Sequence, residues 1–179
     1  MGYHQDLWRE AVAFHGHECP GLAIGFRAAL VALEKLGVSR AKDEELVAVV
    51  ETDACGVDAI QVIAGCTIGK GNLIYKNHGK QAFTVGNRKT GKAVRIYVDP
   101  SKLKVDSEDR KARMEMILNA PEEDFCKIQF VELSFPEEAR IFQSVICESC
   151  GERLSEARAK LEGGKTLCRA CYKPYHRGW

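Results

Sequence analysis

Glu45-Leu46-Val47-Ala48-Val49-Val50-Glu51, followed by Thr52-Asp53-Ala54-Cys55-Gly56-Val57-Asp58, is the stretch on which the fold turns. A short apolar run rich in valine and bounded by charges describes a buried strand, since β-branched side chains suit a pleated interior surface. Beyond it Val57, Ile60, Ile63 and Ala64 recur at helical spacing and stop at Gly65, so Cys55 sits where a helix begins. In sheets flanked by helices, ligand sites form outside the carboxyl ends of strands. Cys55 is therefore placed to meet another chemical motif, with a buried structural cysteine as the competing reading.

That other motif lies upstream. His15-Gly16-His17-Glu18-Cys19-Pro20-Gly21 sets two imidazoles and a thiol within five residues, directly before a strong helical pattern at Leu22, Phe26, Ala29, Leu30, Leu33 and Leu36 that Gly37 ends. Neutral imidazole and thiolate form the donor set that borderline-soft divalent ions such as zinc prefer. Pro20 suits the first helical turn, where its missing N–H would be unpaired anyway, which places Cys19 at the cap. The positive end of the helix dipole then favours a thiolate. The alternative is a surface turn with coincidental histidines. A further helix, Asp6 to Phe14, leads into the motif through Leu7, Trp8, Ala11 and Val12.

Downstream, Gly65-Cys66-Thr67-Ile68-Gly69-Lys70-Gly71-Asn72 invites comparison with a phosphate-cradling loop, but the match fails. Three residues separate the glycines where four are needed, and Gly71 stands where Ser or Thr should follow the lysine. A tight bend is the better reading, with an anion contact by Lys70 as the weaker one. Gln81–Val85 and Ala93–Val98 flank Lys89-Thr90-Gly91-Lys92 as a β-hairpin. Its outward cations Arg88, Lys89, Lys92 and Arg95 read as a solvated face. Ala112, Met116, Ile117 and Ala120, with Glu108 and Asp109 near the start, describe a helix stopped by Pro121. A short helix and a strand, Ile128–Leu133, complete this region, and Cys126 reads as core.

Residues 136–144 read as a linker, because Pro136-Glu137-Glu138 precedes an abrupt rise in cysteine density. Cys147-Glu148-Ser149-Cys150 and Cys168-Arg169-Ala170-Cys171, 17 residues apart, fit the spacing of a four-thiolate zinc site. Four thiolates close a tetrahedron and leave no position for chemistry, so this zinc is structural. A disulfide pair would need an oxidising compartment, and a thioredoxin-type redox motif would need a single such pair in a βαβ setting. From Cys147 to Trp179 there are seven Lys or Arg and four Asp or Glu, and His176, Arg177 and Trp179 lie near the end. That mild excess keeps nucleic-acid binding open without preferring it over protein docking.

Composition bounds these readings. A chain of 179 residues with 45% hydrophobic and 28% charged residues accommodates one packed globular domain and a small appendage. A net charge of +1 gives no general attraction to nucleic acid or membrane, and no apolar run approaches the length of a membrane span. Eight cysteines behind a start, Met1 to Asp6, without an apolar signal region point to a reducing, cytoplasmic setting. The expected organisation is a domain over 1–135, a linker over 136–144 and a four-cysteine finger over 145–179.

Several strings together resemble the FmdE family, named for a component of formylmethanofuran dehydrogenase. They are Phe14-His-Gly-His-Glu-Cys-Pro-Gly-Leu-Ala23 with Gly25 and Arg27, Cys55-Gly-Val-Asp-Ala-Ile-Gln61, Gly65-Cys-Thr-Ile-Gly-Lys-Gly-Asn72, and Gly79-Lys80. The resemblance implies an α+β, thioredoxin-like core with a mixed β-sheet flanked by helices, and a C-terminal finger of treble-clef or zinc-ribbon type. It further implies a metal site drawn from His15, His17, Cys19 and Cys55, and a homodimer.

The functional expectation is a metal-binding protein that forms part of, or is accessory to, a formylmethanofuran dehydrogenase or related molybdenum or tungsten one-carbon enzyme. A second divalent ion, zinc by its donors, would sit in the N-terminal domain. His17, Cys19 and Cys55 would hold it, and His15 would complete the sphere or orient it from behind. Cys19, His15, Asp58 and Lys70 are the catalytic candidates, the last two for proton transfer and anion contact. Whether Cys66 or His15 is a direct ligand stays open. Two other classes compete: a finger-bearing interaction module without catalysis, and a redox pair of Cys19 and Cys55 lacking metal.

Overall fold

The computed structural model describes residues 2–99, 101–102 and 109–177. It divides into two compact units, Met1–Glu138 and Ala139–Trp179. Glu108 and Trp179, noted in the sequence, lie outside the described residues.

In the first unit α1 (Gly2–His15) and α2 (Pro20–Leu36) precede β1 (Leu46–Val50), α3 (Gly56–Ala64), β2 (Leu73–Tyr75), β3 (Ala82–Asn87), β4 (Ala93–Val98), α4 (Arg110–Asn119), α5 (Glu122–Phe125) and β5 (Cys126–Val131). The strands form one mixed sheet in the order β2-β1-β3-β4-β5. β1 and β2 are parallel, joined through α3, and the other pairings are antiparallel. The chain is thus α+β, a mixed sheet flanked by helices.

Register follows from burial. Leu46, Ala48 and Val50 of β1, Phe83 and Val85 of β3, and Val94, Ile96 and Val98 of β4 join one core with Leu22, Phe26, Ala29 and Leu33 of α2. A slip by one residue would turn each strand's core set to the opposite face. Both ends of α2 are capped: Cys19 at the start, and Gly37 at the end with φ 63°, a left-handed conformation that a side chain disfavours.

The closest approach in this core is between α2 and α3. A Cβ on Gly25 would fall on the carbonyl of Gly56, and one on Gly56 would lie 3.1 Å from the Gly21 oxygen and from the Gly25 nitrogen. The two helix backbones touch because these positions lack side chains.

The opposite face of the sheet corrects one expectation. Arg88 and Arg95 are not a solvated face. Arg95 grips Glu51 with two bonds of 2.6 and 3.0 Å, His78 Nδ1 stands 3.2 Å from the same carboxylate, and this pairing, led by Arg95, holds the Glu51 carboxyl down at about 2. Arg88 donates to the carbonyls of Glu44 and Pro136 at 2.9 and 2.6 Å. Alternation assigned the side of the strand correctly but could not reveal a carboxylate on the neighbouring chain segment.

Arg27 also has a structural task. Its guanidinium donates to the carbonyls of Ile117 and Ala120 and stacks over Phe125, closing the C-terminal end of α4. Asp109 caps that helix at its start by accepting from the Lys111 amide. Within residues 136–144, Pro136 is tied back to the first unit by Arg88, while Gln143 exchanges bonds with Glu156 and Ser144 opens the first strand of the second unit. No helix among the described residues is long and apolar enough to cross a membrane.

Overpacking at the α2–α3 contact should be costly. Gly25→Ala is expected to destabilise the fold by at least ~2 kcal/mol in urea denaturation, despite the better helix propensity of alanine. Gly69→Ala, at a position with open space and ordinary φ, should stay within ~0.5 kcal/mol of the parent.

Candidate metal centre

The N-terminal cluster is built by a reversal between two helices. α1 ends at His15, and Gly16, with φ 94°, turns the chain so that His17 and Cys19 come back beside it. Donor atoms of His15, His17 and Cys19 all lie within 4.8 Å of one another. The two imidazole centroids are 4.6 Å apart, and His15 Nε2 is 3.7 Å from the Cys19 sulfur. Cys19 is buried and caps α2, its sulfur accepting the Leu22 N–H at 3.3 Å. The dipole of a 17-residue helix therefore points at this sulfur.

α3 supplies the support. Asp58 Oδ2 lies 2.7 Å from His15 Nδ1, and its other oxygen accepts from Gln61. A carboxylate at Nδ1 fixes the proton there and turns the Nε2 lone pair toward Cys19 and His17, which is how metal-binding histidines are commonly oriented. Asp58 thus stands behind His15 and does not face the cluster.

Cys55 approaches from the start of α3. A Cβ on Gly21 would lie 3.5 Å from the Cys55 sulfur and 3.9 Å from the Cys19 sulfur, so the glycine makes room for two thiols side by side. Burial, and then the Cys19 thiol, push the Cys55 thiol up from its usual range. Cys55 lies beside the tight group of His15, His17 and Cys19 and is not one of its three members.

Lys70 and Cys66 are not brought to this cluster. Lys70 donates from Nζ to the Asp43 carbonyl at 2.9 Å, ahead of β1. Cys66 is fully buried, its thiol pushed up to about 12 by that burial. Asn72 explains the placement: its amide spans Thr67, Asp43 and Leu46 and fixes the glycine-rich bend against the start of β1. Cys126 is half-buried, pushed up to about 11 by desolvation.

A cavity of about 440 Å³ opens beside the cluster, lined by His15, Cys55 and Asp58 and by Val50, Thr52, Asp53, Ile68 and Tyr75 among others. Sequence reasoning gave Asp53, Ile68 and Tyr75 no place in a site. The available signal was topological, since parallel β1 and β2 deliver residues to one crevice at their carboxyl ends.

The second unit carries the four cysteines. β6 (Ser144–Ile146) pairs with β7 (Arg153–Ser155), β8 (Lys160–Glu162) with β9 (Lys165–Leu167), and a short 3₁₀ turn, Glu156–Arg158, joins the hairpins. Cys147 and Cys150 form the turn of the first hairpin, and Cys168 and Cys171 follow the second. Their sulfurs lie within 4.8 Å of one another. Backbone amides of Cys150 and then Cys168 aimed at the Cys147 sulfur draw its thiol down to about 6, so the thiolate needed for metal binding is favoured.

Comparison with known proteins bears on both units. Residues 14–127 match the family described as "FmdE, Molybdenum formylmethanofuran dehydrogenase operon". Residues 140–177 match the "Prokaryotic dksA/traR C4-type zinc finger". An Archaeoglobus fulgidus protein named "Probable S-adenosyl-L-methionine-binding protein" is 36% identical over 95% of this chain, which spans about half of that relative, 53% of its length. A crystal structure of a tungsten formylmethanofuran dehydrogenase FmdE-like protein from Syntrophus aciditrophicus shares the fold with a TM-score of 0.72. It is 25% identical, with 94% of this chain and 91% of that one covered.

The Asp58–His15 pair gives a sharp expectation. Asp58→Asn should weaken metal retention at the N-terminal cluster by ~10–100-fold in chelator competition while leaving the finger's metal unchanged.

Proposed function

The chain belongs to the FmdE family, and on that premise we propose that its first unit is a zinc-type metal centre serving a formylmethanofuran dehydrogenase or related molybdenum or tungsten one-carbon enzyme, as an integral or accessory component. One observation carries this reading: three soft or borderline donors lie within 4.8 Å, with a carboxylate behind one of them. Two neutral imidazoles and a thiolate are a donor set that fits zinc and leaves a position open for Cys55, water or a ligand. Zinc in such a site supplies a polarised carbonyl or a water acidified toward neutral pH.

The residues divide the work. His15, His17 and Cys19 hold the ion, and Asp58 keeps the His15 proton on Nδ1. Cys55 adds a second thiol at the cavity wall, to which Val50, Ile68 and Tyr75 contribute apolar surface. The four-cysteine finger fixes its own zinc as scaffold and offers a surface for docking protein or nucleic acid. A second copy of the chain is the proposed assembly.

Elemental analysis tests the reading. Purified protein should contain about two metals per chain, falling toward one in Cys19→Ser and His17→Ala because the finger keeps its own. A content of one that neither variant changes would sink it, and joint loss of the Cys19 and Cys55 thiols on mild oxidation of metal-free protein would favour the redox alternative.

The archaeal relative supports a second reading, in which the cavity beside β1 receives S-adenosylmethionine. Equilibrium dialysis should then show saturable retention that competes with S-adenosylhomocysteine. Its absence at millimolar ligand would dismiss that reading.

A further inference from the structure

Each donor of the N-terminal cluster needs an anchor, because a ligand that must be ordered when the metal arrives holds it more weakly. His15 has one in Asp58, whose carboxylate lies 2.7 Å from Nδ1. Cys19 has one at the start of α2, where it is buried and its sulfur accepts the Leu22 N–H. His17 has neither. Its ring is exposed and tilts against His15 with centroids 4.6 Å apart, and it makes no hydrogen bond among the described residues.

The anchor for His17 stands next to it in the chain. Glu18 lies between His17 and Cys19, yet its carboxylate is not a member of the donor group. It is turned to α1, where Trp8 Nε1 donates to Glu18 Oε1 at 3.2 Å. Trp8 precedes His15 by about two turns of α1, so the reversal at Gly16 folds the loop back along the helix until Glu18 meets the indole. Trp8 is held in turn by Phe26 of α2, with ring centroids 5.2 Å apart and planes at 72°, and Phe26 is buried. One indole thus ties α1 and α2 to the ligand loop, at a residue flanked by two donors.

We propose that Trp8 and Glu18 position His17 for the metal. The indole N–H fixes the Glu18 side chain, and through it the backbone between His17 and Cys19, before the ion binds. The inference rests on the metal-centre reading of the first unit and deepens it. Trp8 acts through Glu18 and touches neither ion nor ligand, so it is a positioning residue. The effect is reciprocal: whatever factor the bond adds to metal affinity, the metal adds to the bond.

The test uses the full chain with its finger zinc in place and measures zinc retention at the N-terminal cluster by chelator competition. Trp8→Phe and Glu18→Ala should each weaken retention about fivefold. The double variant should lose no more than either single one, because both remove the same bond. Glu18→Gln keeps an acceptor oxygen but not the charge, and it should retain most of the affinity, which separates the bond from simple attraction between carboxylate and ion. Glu18 is exposed, so Glu18→Ala should match the parent in urea denaturation. Trp8 itself gives a second readout in the Trp179→Phe chain, where it is the one tryptophan. Zinc entering the N-terminal site should shift its emission, and Glu18→Ala should abolish that shift. Additive losses, equal losses in Glu18→Gln and Glu18→Ala, an emission shift that survives Glu18→Ala, or unchanged retention in every variant overturns the proposal alone when the parent holds about two metals. A parent holding a single metal overturns the metal-centre reading and this proposal with it.

Discussion

The backbone contact between α2 and α3 is the constraint on which the first unit depends. Gly21 and Gly25 lie on one face of α2, four residues apart, and meet Gly56 at the first turn of α3. Any side chain at Gly25 would hold the helices apart, and the beginnings of both helices would separate with them. Those beginnings carry Cys19 and Cys55. Packing and chemistry are therefore one arrangement: the glycines that let the helices touch also set two thiols side by side at Gly21. Asp58, near the start of α3, reaches His15 for the same reason.

Surroundings act in opposite directions on the cysteines of this chain. Cys147 receives backbone amides and is drawn toward the thiolate. Cys66 and Cys126 are desolvated and pushed the other way, up to about 12 and about 11. Cys19 takes an amide at its sulfur while remaining buried. Backbone N–H groups aimed at the sulfur thus favour the thiolate at Cys147, and burial disfavours it at Cys66 and Cys126.

What was legible in the sequence is what local chemistry encodes. β1, its turn at Cys55 and the stop at Gly65 are set by neighbours a few residues away, as is the capping of α2 by Cys19 and Gly37. The four-cysteine unit was equally plain, because knuckle ligands are spaced by the turn that carries them. Interactions across long separations were not legible. The Asp58–His15 bond joins residues 43 apart, and Arg95 meets Glu51 across 44. Nothing in a strand's alternation names its partner, so Arg95 read as solvated. Lys70 shows the opposite effect: a glycine-rich bend with a lysine suggested an anion, but Asn72 pins that bend to the start of β1.

Cys19 serves two masters that chemistry can pull apart. Its sulfur closes the first turn of α2 by accepting the Leu22 N–H, and the same atom belongs to the donor group. Serine is among the best residues at a helix start but a poor zinc ligand. A hydroxyl at this position would therefore preserve the helix while erasing the affinity for a soft ion. The demands of folding alone would be met here as well by oxygen as by sulfur, and what sulfur adds is softness as a donor.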